Sequence, residues 1–362
     1  MSVLKIIALA LLCVIVLAGI FAFAAMKKVM ASMGLGDGQP VADYEKRIVI
    51  WEYPAGSSTE NKRDHMKINE KEKLLPATLK FAQGIVGETY RDIEQDVDTF
   101  TWLYEISRGY EKETYEDQPY LIPYPAREGD QAVIVIPGGG YGYKSMDGTT
   151  GEGKDVAETL QKEGINAFVL HYRANPYEYP IPQLDVQRAV RYLRFHADEL
   201  GIDPQKISLI GFSAGGTQVG SFLHLTQGKD LFPEGYEPDA VDGMDDFVEK
   251  SAMIYPCLTF RYNVSMLYCL FDDQAVRSDQ TREELLKLMD LKQYPLPESA
   301  KTFVAYSTGD QMVDCRGTKA YVEAQKQQEA RITVREVDGQ PHGFGQEYYM
   351  EDYLRWLREN QE

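Results

Sequence analysis

The chain has 362 residues, 44% of them apolar, the balance of a globular protein with enough length for one large domain. Its formal charge of −18 argues against a nucleic-acid backbone as partner and otherwise serves solubility. Four cysteines, Cys13, Cys257, Cys269 and Cys315, make no disulfide framework, and no cysteine–histidine cluster has metal-site spacing.

The first element in the chain is an apolar run. Residues 6–25 carry no charge, and as a helix they would span about 30 Å, the thickness of a bilayer core. Lys5 stands before the run and Lys27-Lys28 after it. The run exceeds the core of a cleaved signal, about 7–15 residues, so an uncleaved membrane anchor is expected. Cleavage near Ala22-Phe23-Ala24 is the alternative, and Leu12 is too bulky a neighbour for lipid attachment at Cys13. Similar charge at both ends leaves the orientation open. Residues 1–28 are thus expected to be a signal anchor or signal peptide, with 29–40, containing "MGLGDGQP", as a linker. Residues 41–362 then form one domain, membrane-tethered outside the cytoplasm or secreted.

Within that domain, "RIVIWEY" (47–53) and "FTWLYEIS" (100–107) read as strands added antiparallel at one sheet edge. Residues 41–118 otherwise carry no motif and are expected to elaborate the N-terminal side of the domain. "QAVIVIP" (131–137) is a continuous apolar run, as in a strand buried on both faces. A helix over about 151–163 follows, with Val156 and Leu160 on one side and Gly164 to stop it. Next come a strand, "NAFVLHY" (166–172), and a helix from about Gln183 to Leu200. Val186, Ala189, Val190, Leu193, Ala197 and Leu200 give that helix an apolar face, and Gly201 ends it. "KISLI" (206–210) is a strand and a helix follows Ser213. "SAMIYP" (251–256), "KTFVAYS" (301–307) and "RITVREV" (331–337) are further strands, with a cap insertion expected over 257–300. Strands alternating with helices imply a doubly wound, mostly parallel α/β sheet.

In such sheets ligands bind beyond the carboxyl ends of the strands. Four features fall there: "GGGYGY" after Pro137, Ser213, Asp310 and His342. Gly211-Phe212-Ser213-Ala214-Gly215 is G-x-S-x-G between a strand and a helix, where a strained turn holds the serine above the sheet. A serine hydroxyl needs a base, and the base needs an orienting acid. His65, His171, His196 and His224 are upstream of the sheet units, before the serine, or inside helices. His342, in a Gly/Pro loop after the last strand, is the expected base. For the acid, Asp310 lies in the loop after its strand, whereas Asp314 opens a helix where a carboxylate is ordinary. Backbone amides of Gly139, Gly140 and Ala214 are expected to form an oxyanion hole. "GTTGEGK" (148–154) meets part of a P-loop pattern, but Asp155 stands where Ser or Thr belongs and would repel phosphate.

"VIVIPGGGYGY", "HYRANPYEYPIPQLDVQRAVRYLR", "GIDPQKISLIGFSAGG", "STGDQMVD" and "PHGF" together resemble the α/β-hydrolase superfamily. The likeness is to its esterase branch, related to hormone-sensitive lipase and acetyl-xylan esterases, and runs from about Tyr120 to Tyr349. It implies Ser213 as nucleophile, Asp310 as acid (with Val313 completing D-x-x-V), His342 as base and no cofactor or metal. Pro137 stands where some members have histidine, and Thr217 replaces a frequent histidine. The expected substrate is a short-chain acyl ester, acetyl foremost, of a small or carbohydrate alcohol. Tyr141 and Tyr143 are expected to offer hydroxyls to it, or else to pack under their loop. The alternatives are a prolyl-oligopeptidase-like peptidase, a lipase, or a non-catalytic binding protein on the same fold. The chain before Gln131 is too short for the first's propeller, and the insertion, with "DDQAVRSDQTREE", is too polar for the second.

Overall fold

The computed structural model describes residues 41–56, 118–141, 144, 146, 151–174 and 177–359. The expected anchor (6–25), the linker, "FTWLYEIS" and Tyr143 lie outside the described residues. Among the described residues no helix is long and apolar enough to cross a membrane.

Eight strands form one sheet in the order β1-β2-β4-β3-β5-β6-β7-β8. They are β1 (Ile48–Val49), β2 (Tyr120–Tyr124), β3 (Ala132–Ile136), β4 (Asn166–His171), β5 (Ile207–Phe212), β6 (Lys250–Ile254), β7 (Lys301–Ser307) and β8 (Arg331–Val337). From β4 to β8 the pairing is parallel, while β1 and β2 pair antiparallel at one edge. "RIVIWEY" therefore contributes only a two-residue strand. Its neighbour β2, "YLIPY", was not expected, because Pro123 breaks the look of a strand. The proline is tolerated because β1 reaches only Tyr120 and Leu121, leaving β2 an edge at Pro123.

Helices cover both faces of the sheet. Alternate residues of β3 separate two cores: Ala132, Ile134 and Ile136 join one, Val133 and Val135 the other. Helix α1 (Gly153–Lys162) packs Val156, Ala157 and Leu160 into the second core. The long helix expected over 183–200 is two: α2 (Ile181–Phe195) and α3 (Ala197–Leu200), with Gly201 ending α3 at φ 67°. Helix α4 (Ala214–Ser221) follows Ser213 and runs into a π-helical turn, Phe222–Thr226. Between β6 and β7 lie α5 (Leu267–Leu270), α6 (Asp273–Arg277) and α7 (Asp279–Leu288). Leu267, Leu270, Val276 and Leu286 of that stretch join the same core as α2 and α4. Helix α8 (Cys315–Gln327) precedes β8. Helix α9 (Met350–Arg358) closes the second core with Tyr353, Trp356 and Leu357.

The N-terminal segment is fastened to α2 by buried arginines. Arg173 is fully buried and pairs with Asp185 at 2.6 Å. It also donates to the carbonyl of Ala55 and lies over the rings of Trp51 and Tyr177. Arg188 donates to the carbonyl of Ile50 and pairs with Asp239 and Asp242.

Candidate active site

The site is built at the carboxyl ends of β3, β5, β6, β7 and β8. β5 ends in a turn so tight that a Cβ on Gly211 would lie 2.2 Å from the carbonyl oxygen of Gly215. A Cβ on Gly215 would lie 2.0 Å from the carbonyl oxygen of Ile136. Only glycine lets β5, α4 and the end of β3 come this close. The turn leaves Ser213 at φ 49°, ψ −118°, a strained conformation for a residue with a side chain. Its N–H donates to Ile254, and its carbonyl accepts from the N–H and the hydroxyl of Thr217. Thr217 also accepts from the N–H of Cys257, so it ties the elbow to the end of β6.

Ser213, His342 and Asp310 meet. His342 Nε2 lies 2.8 Å from Ser213 Oγ, and Nδ1 lies 2.7 Å from Asp310 Oδ2. Asp310 Oδ1 accepts the N–H groups of Met312 and Val313 at 2.9 and 2.8 Å, which fixes the carboxylate plane. The side chains are 12% exposed at His342 and 3% at Asp310, so the imidazole is open to solvent while its carboxylate partner is shielded. Burial pushes the imidazole pKa down, but the charge and hydrogen bond of Asp310, with the charge of Glu152, outweigh it and raise the pKa above 6.5. Asp314 is elsewhere: it caps α8 by accepting Arg316 N–H and pairs with the Arg316 side chain.

The other histidines have structural partners or lie outside the described residues, as His65 does. His171 is buried in β4 and stacks on Tyr120, and burial holds its pKa well below the ordinary value. His196 bonds Glu199. His224 bonds Tyr321, and burial lowers its pKa to about 4.

The loop after β3 turns through positive φ at Gly139 (128°), Gly140 (61°) and Tyr141 (57°). Tyr141 is not offered to a substrate. It is fully buried beneath the loop, edge-on to Tyr172, and its hydroxyl donates to Gln218 at 3.1 Å. A large ring gains more from burial than from solvent, and its hydroxyl finds a partner there. Tyr172 supports the same loop by donating to the carbonyl of Pro137. Gly138 N–H donates to Glu152 Oε2 at 2.6 Å, and Tyr255 donates to Glu152 Oε1 at 3.0 Å. Sequence reasoning missed both. Glu152 sat inside the discounted "GTTGEGK", and Tyr255 is the last residue but one of "SAMIYP", on the same edge as the serine, a signal left unused.

A model of the BD-FAE family matches residues 120–249. A stretch of 92 residues is 38% identical to the acetylxylan esterase of Xylanibacter ruminicola, covering 25% of this chain and 18% of that protein. A stretch of 132 residues is 36% identical to endo-1,4-beta-xylanase B of Butyrivibrio fibrisolvens, covering 35% of this chain and 19% of that protein. The chain thus spans about a fifth of the length of these two relatives. Among solved structures, an acetyl ester-xyloside bifunctional hydrolase from Caldicellulosiruptor lactoaceticus superposes with a TM-score of 0.55 at 25% identity, over 66% of this chain and 85% of that one. The esterase Est2 of Thermogutta terrifontis shares the fold, with a TM-score of 0.54 at 19% identity, over 67% of this chain and 88% of that one. The chain therefore has the α/β-hydrolase fold, and the proteins it is similar to over its core are esterases of that fold.

Proposed function

We propose that the chain is a serine esterase that removes short acyl groups, acetyl foremost, from a small or carbohydrate alcohol. The unbroken hydrogen-bonded chain from Asp310 through His342 to Ser213 carries this reading. Ser213 Oγ attacks the ester carbonyl as His342 Nε2 takes its proton, and Asp310 holds Nδ1–H and balances the imidazolium. The carbonyl oxygen becomes negative and is met by the N–H groups of Gly139, Gly140 and Ala214, each contributing about 3 kcal/mol to the transition state. His342 then protonates the leaving alcohol. Water, activated by the same imidazole, releases the acid from the acyl-enzyme.

The names of the relatives, an acetylxylan esterase and an acetyl ester-xyloside hydrolase, support acetyl and a sugar alcohol as the preferred pair. A methylene is worth only about 1–3 kcal/mol in an apolar pocket, so preference among chain lengths is graded. The test is kcat/KM on nitrophenyl esters from acetate to dodecanoate, with acetylated xylo-oligosaccharides alongside and Ser213→Ala as control. A maximum at acetate or butyrate is expected; a maximum at octanoate or longer refutes the short-acyl reading in favour of a lipase. We infer from the uncharged run 6–25 that the domain is tethered to a membrane. Fractionation of cells expressing the full chain is the check, and a soluble, uncleaved product refutes it.

A further inference from the structure

Glu152 occupies the N-cap of α1, yet its side chain makes no capping hydrogen bond. An acid there would ordinarily stay near solvent and accept N–H groups of its own helix. Instead Glu152 is buried, with its oxygens on Gly138 N–H and the Tyr255 hydroxyl. Burial pushes its pKa up, and the hydrogen bonds from Gly138 and Tyr255 and the charge of His342 oppose that rise. Burying a carboxylate this way costs several kcal/mol before its hydrogen bonds are counted.

Its two partners flank the reacting atoms. Gly138 leads the oxyanion loop, and a Cβ there would lie 2.8 Å from Ser213 Cβ and 3.0 Å from Glu152 Oε2. Tyr255 packs its ring edge-on against the imidazole of His342, centroids 5.0 Å apart. Tyr255 is held at φ 40°, a left-handed conformation unfavourable for a tyrosine, with its N–H bonded to Ala305. Such strain persists only where the surroundings over-determine it.

We infer that Glu152 and Tyr255 are a pair of positioning residues for the esterase reaction proposed above, on which this assignment rests: Glu152 fixes the oxyanion loop through Gly138 and, through Tyr255, the face of the catalytic imidazole. One carboxylate thereby sets the electrophilic and the basic halves of the site against a common reference. Burial and the neighbouring carboxylate keep the Tyr255 phenol protonated, so it remains a donor. Three titratable groups bear on the site of the imidazole, Asp310 after β7, Tyr255 after β6 and Glu152 before α1, beside the Ser213 hydroxyl of the elbow. Tyr349, before α9, bears on Glu152 in turn.

The experiment measures kcat, KM and the pH profile on nitrophenyl acetate for the wild type, Glu152→Gln, Tyr255→Phe and the double variant, with thermal melting of each. Each single change is expected to lower kcat by about 10- to 100-fold with little change in KM, because the binding cleft is intact and only alignment is lost. The double change should cost less than the product of the singles, since both act through one carboxylate. Glu152→Gln should also move the acid limb of kcat/KM to lower pH, because a negative neighbour of the imidazolium is gone. Wild-type kcat in both single variants overturns the assignment, as does a strictly multiplicative double change with an unmoved acid limb. If Glu152→Gln melts far below the wild type, Tyr255→Phe decides, since it removes one hydroxyl. A wild type that neither hydrolyses esters nor reacts with a fluorophosphonate overturns the esterase reading itself and this assignment with it.

Discussion

Replacing Asp310 by asparagine tests the site at the point where its geometry is most fully specified. Asp310 Oδ1 already receives two backbone N–H groups, from Met312 and Val313. An asparagine must place its amide oxygen there, because its NH2 group would meet two donors. The NH2 then occupies the position of Oδ2 and faces His342 Nδ1, which lies 2.7 Å from that oxygen in the wild type. A donor facing Nδ1 forces the proton onto Nε2, the nitrogen 2.8 Å from Ser213 Oγ. The imidazole then presents a hydrogen where a base is needed. Fixing the wrong tautomer lowers kcat by about ten-thousand-fold, or about 5 kcal/mol. Asp314→Asn is the matched control: asparagine is as good a helix cap, and the lost partner, Arg316, is 60% exposed at its side chain. Its kcat should stay within about twofold of the wild type. Steady-state turnover of nitrophenyl acetate measures both. A loss below about tenfold in Asp310→Asn, or a larger loss in Asp314→Asn, refutes the assignment of the acid.

Two further outcomes concern the elbow and the base. Gly215→Ala puts a methyl group 2.0 Å from the Ile136 carbonyl and 2.7 Å from that of Pro137, so it should destabilise by about 3 kcal/mol or more, and an unshifted melting temperature would count against the close approach. The acid limb of kcat/KM should have its inflection above 6.5, since the raising effect of Asp310 and Glu152 on His342 exceeds the lowering effect of burial; below that pH the imidazole is charged and accepts no proton, and an inflection below 6.5 reverses the balance.

The parallel strands were legible because a strand buried on both faces has a compositional signature: "AVIVI" and "NAFVLH" admit no other placement near Gly-rich turns. The candidate triad was legible because strand ends, chain order and turn chemistry are all local properties. What sequence reasoning missed depends on long-range contacts. β2 carries Pro123, and only the shortness of β1 makes that acceptable. For Tyr141 the glycines before it leave the substrate and the space under the loop equally open, and the direction of its ring is set by φ 57° and by Gln218, 77 residues away. The side chain of Glu152 leaves its own helix to serve Gly138 and Tyr255, a choice that no local pattern encodes.

The route of the chain near the sheet edge has a consequence for how this domain can vary. Residues 50–51 and 118–119 are neighbours: Ile50 N–H donates to Pro119, and the side chain of Gln118 donates to the carbonyl of Trp51. The arginines on α2 and its approach hold the departing side, through Ile50 and Ala55. The described chain on the two sides of residues 57–117 thus meets at one edge of the sheet. Where two ends are held this close, connections of about sixty and about six residues differ in loop-closure entropy by only about 2 kcal/mol, because that cost grows with the logarithm of length. The length of the connection at this junction can thus vary at little cost to the pairing of β1 with β2.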